Sequence, residues 1–199
     1  MLSLSLSTCM SALGEEPGEN HIIGFKGSCH YYHYGAQGID DQGWGCGYRT
    51  LQTILSWYQL TKSCSFDVPT LLSIQSILHE IGDKPRVFVN SHDWIGAYEC
   101  GLVIQYLTKI IHVVGGNFTE EIIESLVHHF QIQGSPVMLG ILAVKTFLAR
   151  PTMFLICDPH YFEIHGNPNI AKLCEGKWLR WCKVSEFSEK QFYNLCLPL

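Results

Sequence analysis

The sequence predicts an α+β fold, with helices packed on a mainly antiparallel sheet. The middle of the chain repeats its apolar residues at helical spacing, whereas the last third consists of short apolar runs rich in β-branched and aromatic residues. Helices followed by strands, without strict alternation of the two, is the α+β pattern. At 199 residues, 47% of them hydrophobic, the chain is long enough for one domain with a substantial core. No internal repeat divides it.

Residues 1–20, MLSLSLSTCMSALGEEPGEN, combine Ser, Gly, Glu and Pro with little periodicity, and are expected to form a flexible tail. They lack a basic n-region and do not read as a signal peptide. HIIGF (21–25) and SCHYYHY (28–34) read as short strands, and GAQGIDDQGWG as a loop. A helix is expected from Cys46, with Leu51, Ile54, Leu55 and Tyr58 on one face. VPTLLSIQSILHEIG forms the next, with Pro69 in its first turn and Gly82 near its end. After Ser91, DWIGAYECGLVIQYL reads as a buried helix. IIHVV (110–114) is a strand, and EEIIESLVHHF a helix whose Glu120 and Glu121 suit the positive end of its dipole. PVMLGILAV (136–144), TMFLICDPHY (152–161) and KWLRWCKV (177–184) read as strands, and Ser188 as the cap of a short last helix before YNLCLPL. No run of about 18 apolar residues is present, so no transmembrane segment is expected.

The net charge of −5 gives no basic footprint for nucleic acid. Nine cysteines are present, an odd number, and no two stand at C-x-x-C spacing. That argues against a disulfide framework and against a structural zinc site. The expectation is a reducing, cytoplasmic setting with mostly buried thiols, and neither metal nor cofactor.

Cys46 is the exception among the thiols. It stands where a glycine-rich loop turns into a helix, and a helix start favours the thiolate, the only form of the thiol that attacks. The small neighbours Gly45 and Gly47 are expected to let a substrate backbone come close. A nucleophile also needs a base. His160 lies in CDPHY after an apolar strand, and side chains two apart on a strand share a face, so Asp158 is placed to orient it. A cysteine at a helix start, with Asp and His on a core strand, is a papain-like arrangement with the acid before the base.

GIDDQGWGCGYRTLQT closely resembles the nucleophile segment of the Ufm-specific proteases, cysteine peptidases acting on the ubiquitin-fold modifier. SHDWIGAYE, FLICDPHY and YNLCLP resemble further segments of that family, so that the matches span roughly residues 28 to 199. The resemblance implies a single papain-like catalytic domain over residues 21–199, with Cys46 as nucleophile and Asp158 and His160 completing the triad. It also implies that Tyr34, in YHYG, supplies an oxyanion-hole hydroxyl. The implied substrate is a folded modifier whose extended tail is cut after its C-terminal glycine, in the precursor or on a conjugated lysine, with Trp44 and the glycines around it as a groove wall. The chain departs from the family in a short hairpin before Asp158 and in Phe162-Glu163, where a Thr-Gly pair is usual. Two other readings stand beside this one: a protease for another modifier, because the autophagins share W-G-C and D-P-H segments, and a catalytically silent modifier-binding module.

Overall fold

The structure, a computed structural model, describes residues 1–14, 24–62, 64–109, 112–117, 119–140, 144–150, 153–187 and 192–198. From the amino end, β1 (Ser3–Ser5) and α1 (Leu6–Ala12) lead to β2 (Ser28–His30) and three helices, α2 (Cys46–Thr61), α3 (Leu71–Glu80) and α4 (Ala97–Thr108). Then come β3 (His112–Asn117), α5 (Glu120–Ile132), β4 (Met138–Gly140), β5 (Val144–Arg150), β6 (Met153–Cys157), α6 (Ile170–Glu175), β7 (Leu179–Lys183) and β8 (Phe192–Leu197). β1 and β2 make a two-stranded sheet, and the other six strands form one sheet in the order β3-β8-β4-β5-β6-β7. Its neighbouring strands all run antiparallel, as the α+β expectation requires.

Strand alternation gives this sheet two apolar faces. Met138, Leu155, Leu179 and Cys196 point into the cluster built by α2, α3 and α4. Their sequence neighbours Leu139, Phe154, Ile156, Leu195 and Leu197 point the other way, onto Leu126 and Phe130 of α5. The sheet is therefore covered on both sides, and α2 is the helix that runs through the larger core.

α2 departs from the expected single apolar face. Every residue from Gly47 to Tyr58 is buried, the polar ones included. The reason lies in the strand it covers. Among the described residues β2 pairs with β1 alone, and the open side of the β2 segment is met by hydroxyls of α2. Ser56 accepts from the His30 N–H at 2.8 Å and Thr53 from the Tyr32 N–H at 3.1 Å. Buried backbone donors need partners, so small polar residues are selected on a buried helix.

The amino end differs from the flexible tail expected of it. Leu4 pairs with Cys29 across β1 and β2, and Leu4, Cys9 and Met10 are buried. Ser5 caps α1, accepting from the Thr8 N–H at 3.3 Å while the Thr8 hydroxyl accepts from the Ser5 N–H at 2.9 Å. The Leu-Ser alternation is a strand pattern whose inward leucine needs a long-range partner to show itself. Residues 15–20 lie outside the described residues.

Other boundaries move for local reasons. α3 starts at Leu71 because Thr70 caps it, accepting from the Ser73 N–H at 3.1 Å, so Pro69 precedes the helix. α4 starts at Ala97, where Gly96 donates its N–H to Glu99 at 2.9 Å. The preceding stretch, 91–96, is not helical. Of the expected strand 21–25, residues 21–23 lie outside the described residues and Gly24-Phe25 are not in a strand. The expected run 136–144 divides into the end of β4 at Gly140 and the start of β5 at Val144, with 141–143 outside the described residues. Ser188 also lies outside them. Residues 192–197, expected to continue from a last helix, form the strand β8, seated between β3 and β4. α6 is an element the sequence did not predict; Asn169 caps it, accepting from the Lys172 N–H at 2.9 Å.

Candidate active site

Cys46 is the first residue of α2. The preceding Gly45 provides no side-chain cap, so the thiol sits among first-turn N–H groups that lack an intrahelical partner. His160 arrives from the far side of the core. It lies in the turn after β6, not in the strand as expected. Its pairing with Asp158 therefore does not come from strand alternation. The Asp158 carboxylate accepts the His160 backbone N–H at 3.0 Å, and the same oxygen takes the imidazole Nδ1. This is an Asx turn, in which a short acidic side chain bonds the backbone two residues on. It fixes the ring by its Nδ1 and leaves Nε2 for the thiol. The turn itself is anchored, because Asp158 N–H donates to the Trp178 carbonyl at 2.7 Å.

Tyr34 completes the cluster. Its backbone is held by the same turn: its N–H donates to the Pro159 carbonyl at 3.0 Å, and its carbonyl accepts from the Glu163 N–H at 3.1 Å. A single parallel bridge pairs it with Phe162. The Tyr34 ring meets the His160 ring edge-on, with centroids 5.2 Å apart. The structure thus brings Cys46, His160, Asp158 and Tyr34 into one place, from separated stretches of chain.

The electrostatics suit a nucleophile. Burial pushes the Cys46 thiol up, but the His160 imidazole, the Tyr34 hydroxyl and the Gly47 backbone outweigh it and hold the thiol below the ordinary value. His160 is raised to about 9, chiefly by the Asp158 carboxylate and then by Cys46, against burial. Tyr34 is raised by burial and by the neighbouring thiol, so its hydroxyl keeps its proton and remains a donor. Other thiols go the opposite way: burial pushes Cys9 and Cys196 up to about 12, and Cys29, Cys100 and the half-buried Cys157 are raised too.

The residues expected to line a substrate groove divide. Trp44 is half-buried, stacks flat on His92 with centroids 4.9 Å apart, and meets Tyr48 edge-on at 5.5 Å. It both anchors the loop and faces outward beside the exposed His92. The two glycines have a different reason to be small. A Cβ on Gly45 would lie 1.8 Å from Asp41 Oδ2, and one on Gly47 would lie 2.2 Å from the Ile95 carbonyl oxygen. Both are buried, and the space they leave is filled by the protein itself.

Sequence reasoning missed Asp41 and Arg49. They form a fully buried ion pair, Nε to Oδ2 at 2.8 Å and Nη2 to Oδ1 at 3.1 Å. The available signal was a lone arginine in an apolar helix, three residues after Cys46. His92 carries no local sign of a role beyond the surface; its stacking on Trp44 depends on contacts 48 positions apart in the chain. Among the described residues no group of three or more His, Cys, Asp and Glu is arranged to hold a metal ion.

The chain is similar to known proteins along most of its length. Residues 21–196 match the model of peptidase family C78. The chain is 44% identical over 190 residues to a "Probable Ufm1-specific protease" of Oryza sativa subsp. japonica, covering 86% of this chain and 29% of that protein. It is 38% identical over 195 residues to Ufm1-specific protease 2 of Homo sapiens, covering 92% of this chain and 40% of that one. The crystal structure of UfSP from C. elegans superposes with a TM-score of 0.78 at 32% identity, over 95% of this chain and 36% of that chain. The chain thus spans roughly a third of the length of the relatives it matches.

Proposed function

The chain belongs to peptidase family C78, and from that premise we propose that it is a thiol peptidase that cleaves after the C-terminal glycine of a ubiquitin-fold modifier. Both uses of that cut, maturation of the precursor and release from conjugated lysines, fit the chemistry. The observation that carries the proposal is the meeting of Cys46, at the start of α2, with the Asp158-oriented His160 and the Tyr34 ring, where the thiol is held below its ordinary value and the imidazole is raised to about 9. Together the two shifts favour passage of the thiol proton to the imidazole. The names of the relatives favour this modifier over the autophagy-type ones.

In this mechanism the Cys46 sulfur attacks the carbonyl carbon of the terminal glycine. The electron pair of the C=O bond moves onto oxygen, where the Tyr34 hydroxyl and the first-turn N–H groups of α2 receive it. When the tetrahedral intermediate collapses, the C–N bond breaks and the protonated His160 gives its proton to the leaving amine. A thioester remains on Cys46. His160, now neutral, takes a proton from water, which attacks the thioester and returns the thiol. Asp158 holds the imidazole in the tautomer these steps need. Trp44 forms one wall for the glycine tail. None of the nine cysteines is in a disulfide. No helix among the described residues is long and apolar enough to cross a membrane.

The test is to incubate the purified protein with the ubiquitin-fold modifier bearing a C-terminal electrophile, beside ubiquitin and autophagy-type probes. The expected result is an adduct at Cys46 with the first probe alone. An adduct with another probe instead overturns the substrate, and no adduct from folded protein overturns the peptidase.

A further inference from the structure

Arg49 uses every donor it has. Its guanidinium carries five N–H bonds in a rigid fork, and five hydrogen bonds leave it. Nε and Nη2 reach the two Asp41 oxygens, Nη2 also reaches the Ala36 carbonyl at 2.9 Å, and Nη1 reaches Gln37 Oε1 at 3.1 Å and Gln52 Oε1 at 3.0 Å. Three of the four residues bound, Asp41, Ala36 and Gln37, belong to the loop that joins Tyr34 to Cys46. The fourth, Gln52, is on α2 and also donates to Gln37 at 3.3 Å.

Asp41 closes the circuit. Its Oδ1 accepts the Gly35 N–H at 2.9 Å, directly after Tyr34, and its backbone carbonyl accepts the Gly45 N–H at 2.8 Å, directly before Cys46. The two ends of the loop, carrying the oxyanion donor and the nucleophile, are therefore tied to one residue. The loop does not relax into this shape unaided. Gln37 holds a left-handed backbone at φ 63, a conformation uncommon for a residue with a side chain, and its amide is fixed by Arg49 and Gln52. A fully buried ion pair does little for net stability, because desolvation offsets much of the attraction.

We propose that the buried Asp41–Arg49 pair is a positioning device for the oxyanion donor: it clamps loop 35–45 and so sets where the Tyr34 hydroxyl stands relative to the Cys46 sulfur. The proposal rests on the cleavage reading above. Arg49 touches neither substrate nor thiol. It acts through the loop.

A double-mutant cycle tests this, using cleavage of a C-terminal amide of the ubiquitin-fold modifier and, separately, the pH profile of Cys46 alkylation by iodoacetamide. Arg49→Lys keeps the charge but has three donors for five positions. It is expected to lower kcat by about 10- to 100-fold, on the scale of an oxyanion donor, with KM little changed. Its alkylation profile should keep the step near pH 9, because Asp158 and His160 hang on β6 and not on the loop, while its onset moves up as the Tyr34 hydroxyl leaves the thiol. Tyr34→Phe should cost about 10²-fold in the wild-type background and less than about threefold in Arg49→Lys. An undiminished Tyr34→Phe effect, or loss of the step near pH 9, overturns the proposal. Should Arg49→Lys fail to fold, the same cycle on Gln37→Gly decides, since residue 37 is exposed and glycine accepts its backbone angle; there too an undiminished Tyr34→Phe effect overturns it. Wild-type protein that alkylates at Cys46 yet cleaves nothing would overturn the cleavage reading, and this proposal with it, by a different signature.

Discussion

Cys46 is the residue whose environment differs from that of the other thiols. Cys46→Ala is expected to lose all cleavage while keeping the thermal unfolding transition, because the side chain is small and only half-buried, so little packing is lost. His160→Ala should be nearly as severe, since base and nucleophile act as a unit. Asp158→Asn should hurt less. The pH dependence comes from the signs. Cys46 is lowered and His160 is raised to about 9, so iodoacetamide reactivity should appear below the ordinary thiol range. It should then hold a plateau and change again near pH 9, when the imidazolium loses its proton. His160→Gln should erase the step near 9 and move the onset upward. A profile that rises once, at the ordinary thiol value, would mean that no ion pair exists.

At the level of elements, α2 is positioned by contacts at its start and by the ribbon beneath it. Gly47→Ala sets two effects against each other. Alanine is better in a helix by about 1 kcal/mol, but its Cβ would meet the Ile95 backbone oxygen at 2.2 Å. Backbone cannot step aside as a side-chain end can, so the clash wins. The expected outcome is a net loss of about 1–3 kcal/mol in urea unfolding, with reduced kcat/KM as the 91–96 segment shifts and takes His92 off Trp44. The amino-terminal ribbon makes a second claim. Leu4 is buried against β2 and the larger core, so Leu4→Ala should cost about 2–5 kcal/mol in the same measurement. A change near zero would mean that residues 3–12 contribute nothing to the fold.

For the whole molecule, the sheet separates two cores, and the site belongs to one of them. Phe130 on α5 is buried in the core that faces away from α2. Phe130→Ala should therefore destabilise by about 3–5 kcal/mol, while the folded fraction alkylates at Cys46 at the wild-type rate. Ile54, which is fully buried on α2 in the other core, is the control: Ile54→Ala should lower both stability and reactivity. Equal effects of the two substitutions on reactivity would mean that the sheet does not insulate the site.

The sequence by itself determined the class of fold and the chemical identity of the cluster. Periodicity marked α2, α3 and α5 and most strands, and the segments around Cys46, Asp158, His160 and Tyr34 carried their resemblance in local motifs. Local signals suffice there because a helix face, a capping residue or a motif is written in neighbouring positions. The tertiary structure decided what depends on partners far along the chain. A Leu-Ser alternation became β1 only through Cys29. The last apolar stretch became the strand β8 because β3 and β4 offer it two edges. Gly45 and Gly47 are small because of Asp41 and the Ile95 backbone. Arg49, one polar residue in an apolar helix, gains its meaning from the loop that folds over it. Burial and hydrogen-bond satisfaction are properties of space, and one sequence written in a line does not state which of its residues will meet.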